Sequence, residues 1–412
     1  MKKLLGLLLA VVLVLTSVSA MAEMKTINPE EERNITIQPA GENSVDDNVS
    51  PTTGRNLDEV ADAAAERGFL GYAVTGWYQP LMVQIDNSNA GLNRNAPLNG
   101  SWADIVYETP LYSSGMTRIS MIFSDVAPDY VGFVRSTRLT HVRIRQEWDA
   151  ILCTSGYSPA DVPDELKLLG VRNPEGATAD DPGRVFVGDY RTNKPWKNAV
   201  ARIDGYVSPT NEMYNLHETL KVVPQDYYIP VTSHAFKFSD ELPEGGDDAN
   251  FVYVTYGYKA NGYDYGSELQ YDANTKTYVR YLKKDGQLAS YRENIPEGLK
   301  EFMKSFEGQG KVLTYKIEQL APGEEITFSN VIVQFIRMNW RNSERPDPDM
   351  LGTGNAEIFM GGKHYSGKWS RDNYNSRTVF YGPDGQEISL QRGKTMIFVV
   401  DFNSNGRSVS YE

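Results

Sequence analysis

The chain has 412 residues, 41 basic against 54 acidic, and a formal net charge of −13. So acidic a surface disfavours nucleic acid and anionic lipid as general partners, since both are polyanions. The single cysteine, Cys153, excludes an intramolecular disulfide, while 25 tyrosines and 35 glycines point to a β-rich protein with many turns.

Residues 1–22 read as a secretory signal peptide. Lys2 and Lys3 form its positive start, Leu4 to Leu15 its apolar core, and Ala20-Met21-Ala22 a small-residue cleavage site. The apolar run is too short for a comfortable membrane span, and no cysteine follows it to carry a lipid. The expected address is secreted or extracytoplasmic, with no lipid anchor and no transmembrane span. Residues 23–55 hold PEEER, GENSVDD and SPTTG and offer little to bury. They are expected to form a flexible acidic spacer.

Asn56 opens the next segment, LDEVADAAAERGF, whose Leu57, Val60 and Ala64 recur at helical spacing. The run LMVQID follows, nearly unbroken in its apolar character, as suits a strand covered on both faces. After a polar loop from Asn93 to Gly100 come strand-like DIVYET, TRISMIF and VGFV. A helix over LTHVRIRQEW is next, capped by Ser136 or Thr137. Strand AILCT, the turn Ser155-Gly156-Tyr157-Ser158-Pro159, helical PADVPDELKLLG, strand-like RVFVG and helix-like TNEMYNLHETLKVV complete this part. Residues 56–228 are therefore expected to form a layered mixed α/β domain.

From about residue 230 the apolar period becomes two, as in FVYVTYGY, KVLTYKIEQL, SNVIVQFIRMNW and KTMIFVVDF. Asp285-Gly286 and Asp384-Gly385 are hairpin dipeptides between alternating runs. Residues 229–412 are expected to be mostly antiparallel β, with one inserted helix at PEGLKEFMKSFE. The whole is an α+β chain of two domains.

The succession IDN, ADIVYE, TR, VGFVRSTR, DAI and a GxSP turn resembles the YerB-like family of secreted bacterial proteins, many of them lipoproteins. SNVIVQF, AEIFMGGKHYSGKWSR, GPDGQEISL and RGKTMIFVV resemble that family's C-terminal domain in the same order, so the likeness spans roughly residues 80 to 402. It implies an α/β first domain and a β-rich second one, and no established activity. Two positions depart from the family pattern. Thr154 stands where relatives carry a histidine before the GxSP turn, and Ser208-Pro209-Thr210-Asn211 replaces a Pro-His-Asn run. Relatives also begin at a lipobox cysteine that this chain lacks.

The sharpest chemical feature is a group of arginines. Arg135 precedes the helix, Arg138 enters its first turn and Arg145 falls two turns on, while Arg118 lies on a neighbouring strand. A helix start flanked by guanidiniums, with Ser136 adding a donor, is suited to a phosphate or carboxylate. The same arginines would equally form a structural ion network with Asp86, Asp104 and Glu108. Those acids also suggest a hydrolase. Asp104 and Glu108 share one face of a strand but sit ~13 Å apart, beyond the roughly 5–9.5 Å of glycosidase carboxylates. Whether Asp86 and Asp104 meet across strands is open.

Other chemistry finds little. There is no G-x-S-x-G, and Cys153 lies inside an apolar run. His141, His217, His234 and His364 are scattered without ligand spacing. Tyr365, Trp369, Tyr374 and Tyr381 would suit sugar stacking or cross-strand packing. The sequence thus favours a non-catalytic cell-envelope protein with no cofactor. It would bind an anionic ligand, wall polymer or envelope protein through Arg118, Arg135, Ser136 and Arg138, with Asp86, Asp104 and Glu108 around them. The alternative is a cell-wall hydrolase using those three carboxylates.

Overall fold

The structure, a computed structural model, describes residues 24–41, 48–74, 76–87, 97–172, 176–178, 180–188, 194–204, 211–260, 263–284, 287–296, 313–316, 320–403 and 406–412. The signal peptide, Asp285-Gly286, Thr210 and nearly all of PEGLKEFMKSFE lie outside them. In chain order the strands used below are β1 (Lys25–Thr26), β2 (Leu81–Ile85), β3 (Ile105–Pro110), β4 (Thr117–Phe123), β5 (Ile151–Thr154) and β6 (Val185–Val187). They continue with β7 (Asp247–Asp248), β8 (Phe251–Thr255), β9 (Tyr263–Asp272), β10 (Thr277–Lys284) and β11 (Gln287–Ser290). The last are β12 (Asn330–Asn342), β13 (Gly352–Met360), β14 (Lys363–Arg371), β15 (Thr395–Asp401) and β16 (Ser408–Tyr411). The helices among the described residues are α1 (Leu57–Glu66), α2 (Leu139–Glu147), α3 (Val162–Leu168) and α4 (Leu216–Leu220).

One central sheet runs in the order β6-β5-β2-β4-β3-β15-β12-β13-β14-β7. Strands β6, β5 and β2 are parallel neighbours, β4 is inserted antiparallel, and β3, β15 and β12 resume the first direction. The sheet passes from the first half of the chain into the second where Ile105 of β3 lies beside Thr395 of β15. A second, antiparallel sheet, β1-β16-β8-β9-β10-β11, packs on one face. Leu81, Val83, Met121, Phe123 and Phe398 meet Val252, Val254, Leu269 and Tyr278 there, all of them buried. The other face carries Met82, Ile122, Ile332 and Ile397 against Val142 and Ile144 of α2 and Val162 and Leu166 of α3.

The fold is thus predominantly β, with 44% of residues in strands and 13% in helices. The expected layered α/β first domain does not form. LMVQI and ILCT are strands buried at every position, as their apolar runs require. What covers one of their faces, however, is a second sheet contributed, apart from β1, from beyond residue 250, and not a layer of crossover helices. Helix-like sequence at 159–170 and 210–223 yields only α3 of seven residues and α4 of five. The second half is not wholly antiparallel either, because β15 joins both neighbours in parallel.

Much of the segment 23–55 is bound to the body instead of acting as a spacer. Strand β1 pairs with β16. Arg33 donates to the carbonyls of Ala356 at 2.7 Å and Gly367 at 2.5 Å and pairs with buried Glu357. Ser50, Thr52 and Thr53 are buried around Asp125. Among the described residues no helix is long and apolar enough to cross a membrane.

Candidate functional site

The parallel strands β2 and β5 end at the same edge of the central sheet, and antiparallel β4 starts there. The segment 133–138 threads between these ends. Arg135 N–H donates to Gln84 at 2.8 Å, Asp86 N–H to Phe133 at 2.8 Å, and Ser155 N–H to the Arg135 carbonyl at 3.2 Å. Gly156, at φ +134°, lets the turn after β5 pass close under Ser136; a Cβ there would come within 3.2 Å of its Oγ. Thr154 Oγ1 lies 3.0 Å from the Arg135 carbonyl and 2.7 Å from that of Gly156, so it ties this turn together.

Helix α2 starts at this point, but its N-cap is Arg138 and not Ser136 or Thr137. The Arg138 N–H donates to Nδ1 of fully buried His141 at 2.9 Å. That leaves the proton on Nε2, 3.1 Å from Thr109 Oγ1, and the ring neutral. Burial, reinforced by Arg118 and Arg138, holds the His141 pKa well below its ordinary value.

Arg118 reaches the same place from β4. Its guanidinium is 2% exposed and donates from Nη1 to the Ser136 carbonyl at 2.6 Å, while its Nε finds no acceptor among the described residues. Burial lowers its pKa to about 9; Asp86 counteracts this, and Arg135 and Arg138 add to it. Arg135 Nε stands 3.6 Å from Asp86 Oδ1. Arg118 and Arg135 therefore lie near the Asp86 carboxylate with Arg138 adding positive charge beside Arg118, and the buried Ser155 hydroxyl also has no partner among the described residues. Arg145 takes no part. It is buried elsewhere, donating to the Ala150 carbonyl at 2.6 Å and pairing with Asp149 at 2.7 Å.

The three acids are not assembled. Asp86 stays with the arginines. Glu108 lies on the opposite face of the sheet, fully buried, with Oε2 2.6 Å from Arg280 Nη2 of β10 and Oε1 2.7 Å from Thr117 Oγ1. Asp104 sits at the other edge, before β3, where its Oδ2 accepts from the Ser124 N–H at 2.5 Å, the Ser124 hydroxyl at 2.8 Å and the Asp125 N–H at 3.1 Å. The sequence reading missed Arg280 and Asp125 as the groups that matter to these acids; nothing local in the sequence marks either one. Cys153 is fully buried and its thiol is pushed up by burial. Trp369, Tyr365 and Tyr381 are buried too, and the Trp369 indole donates to the Phe335 carbonyl at 2.9 Å.

Two family models match the chain, a protein of unknown function (DUF3048) N-terminal domain over residues 73–216 and the corresponding C-terminal domain over 252–397. The chain belongs to the YerB-like family. The crystal structure of the YerB protein from Bacillus subtilis is similar, with a TM-score of 0.59 and 20% identity over 88% of this chain and 99% of that one. At that identity the likeness to YerB concerns the fold. No curated protein matches the chain. In this YerB-like chain the arginine group lies wholly within the N-terminal domain match.

Proposed function

We propose that this protein is a non-catalytic cell-envelope binding protein, exported by its leader and not lipid-anchored, that holds an anionic group at the start of α2. The observation that carries the reading is Arg118, a buried guanidinium whose Nε meets no acceptor among the described residues, crowded by Arg135 and Arg138 and near the carboxylate of Asp86. Excess buried positive charge is costly unless an anion joins it. Phosphate and carboxylate are the groups that forked guanidiniums and a helix start accept. The Ser136 and Ser155 hydroxyls border the same place and supply further donors. A phosphate-rich wall polymer fits this chemistry, as does an acidic segment of an envelope protein. In this reading residues 56–228 supply both the site and the strand ends that frame it, and 229–412 form the partner-contacting β domain.

The test is co-sedimentation with cell-wall sacculi, either carrying or stripped of their anionic polymers. Binding should require the polymers and fall at least about tenfold in Arg135→Ala/Arg138→Ala. The melting temperature should stay within roughly 3 °C, because both side chains are partly exposed. Equal binding to stripped sacculi, or an undiminished double variant, overturns the site. Wall fragments released into the supernatant overturn the non-catalytic reading.

A further inference from the structure

A separate cavity of about 310 Å³ opens at the opposite edge of the central sheet, under α1. Its charged lining is Arg55, Glu59, Asp104, Asp125 and Lys394, and its apolar wall includes Val60 and Trp102. The charges of opposite sign face one space without meeting. Asp104 is 4% exposed, and the three donors that the described residues give its carboxylate all converge on Oδ2 and leave Oδ1 with none. Lys394 Nζ donates to one backbone carbonyl, Ser101, at 2.9 Å. Among the described residues no carboxylate lies within ion-pair distance of it or of the Arg55 guanidinium. An ammonium has three protons to place, and Oδ1 of a residue that lines the cavity can accept from a donor inside it.

We infer that this cavity is a binding site for a small zwitterion of the amino-acid class. Its ammonium would sit against Asp104 Oδ1 and its carboxylate against Lys394 and Arg55, with a short apolar side chain on Val60 and Trp102. The volume is that of a small-ligand pocket. Such a ligand supplies a donor to the bare oxygen and an acceptor to the under-used ammonium at once. A purely cationic or purely anionic ligand would satisfy one end and leave the other exposed to a like charge. The titration behaviour agrees with charges that lack partners. Burial and then Asp125 push the Asp104 carboxyl up, burial does the same to Asp125, and burial, then Arg55, brings Lys394 down to about 8.

The site is independent of the arginine group. Its experiment is calorimetric titration of the full-length mature protein with L- and D-alanine, using ethylamine and propionate as analogues that each keep one charge. At least one alanine enantiomer should bind at concentrations up to about 10 mM, and both analogues should be at least about tenfold weaker. Asp104→Asn and Lys394→Met should each weaken alanine by a similar factor. Arg55→Gln, at the exposed rim, reports on the site without a folding risk and should weaken alanine severalfold. Absence of alanine binding, propionate or ethylamine binding as tightly as alanine, or full affinity in Arg55→Gln and Lys394→Met together would overturn the assignment.

Discussion

Replacing Arg280 by Met would strand the Glu108 carboxylate between two sheets. Both side chains are 0% exposed, and their 2.6 Å contact joins β10 of the second sheet to β3 of the central one. Arg280 also donates from Nε to Ser267 at 2.9 Å and stacks over the Tyr291 ring at 4.6 Å. Thr117 and Asn87 would remain as donors to Glu108, at 2.7 and 3.3 Å, but neither carries charge. Breaking a buried pair from one side costs roughly 3–5 kcal/mol, a large part of the about 5–15 kcal/mol that keeps a protein folded. At roughly 2–4 °C per kcal/mol the melting temperature should drop by about 6–20 °C. The double variant Arg280→Met/Glu108→Gln removes both charges and should recover at least about half of that loss. Urea unfolding followed by tryptophan fluorescence and by circular dichroism measures both, and the two signals should move in one transition because the pair spans the layers. A single variant within ~1 kcal/mol of the parent, or a double variant no better than the single, would refute the reasoning. Success would also show that the Glu108 charge is part of what holds the two sheets together.

Other outcomes follow from groups already described. His141 is held neutral in the folded protein, so below its ordinary pKa of about 6.5 the unfolded chain takes up a proton that the folded one refuses. Stability from this source is complete above that pH and falls on acidification by up to about 1.4 kcal/mol per unit. Urea midpoints between pH 7.5 and 5.5 should show that slope, and a profile equally steep in His141→Gln would count against it. Arg33→Ala leaves buried Glu357 with the His364 ring, 2.7 Å away, and should cost about 3 kcal/mol. Limited proteolysis should then cut within residues 24–41, and unchanged protease resistance would refute the role of Arg33 in fastening that segment. Cys153 should resist thiol reagents at pH 8 until urea is added; prompt reaction of the native protein would contradict its burial.

Local features were readable from the sequence. Asn56 caps α1, accepting from Asp58 and Glu59 as its position before LDEV suggests. The apolar runs of β2 and β5 announce burial on both faces. Which element provides that burial is a matter of distant pairing, and the sequence carries no mark that sets Ile105 beside Thr395. The arginine group was legible in part, because a helix start and strand alternation are both local. The cap itself moved to Arg138, since His141 is placed to accept its N–H. Asp104 and Glu108, four residues apart, are too distant by strand spacing to act together, and the spacing leaves Asp86 open as a partner for Asp104. The carboxylate that lies beside Asp104 is Asp125, just past the end of the adjoining strand. Carboxylates on one strand advertise their spacing, whereas those at paired strand ends depend on a register that only the folded sheet displays.

The joining of β3 to β15 has a consequence for how the molecule is made. Until the last strands emerge, the first half of the chain offers β3 as an open edge with its amides and carbonyls unanswered along Ile105–Pro110. Pairing so remote in sequence, and parallel, is slow to find. A fragment ending near residue 228 should therefore associate edge to edge in preference to standing alone. Synthesis has to run almost to its end before the sheet can close, so the two family domains mature as a single cooperative event.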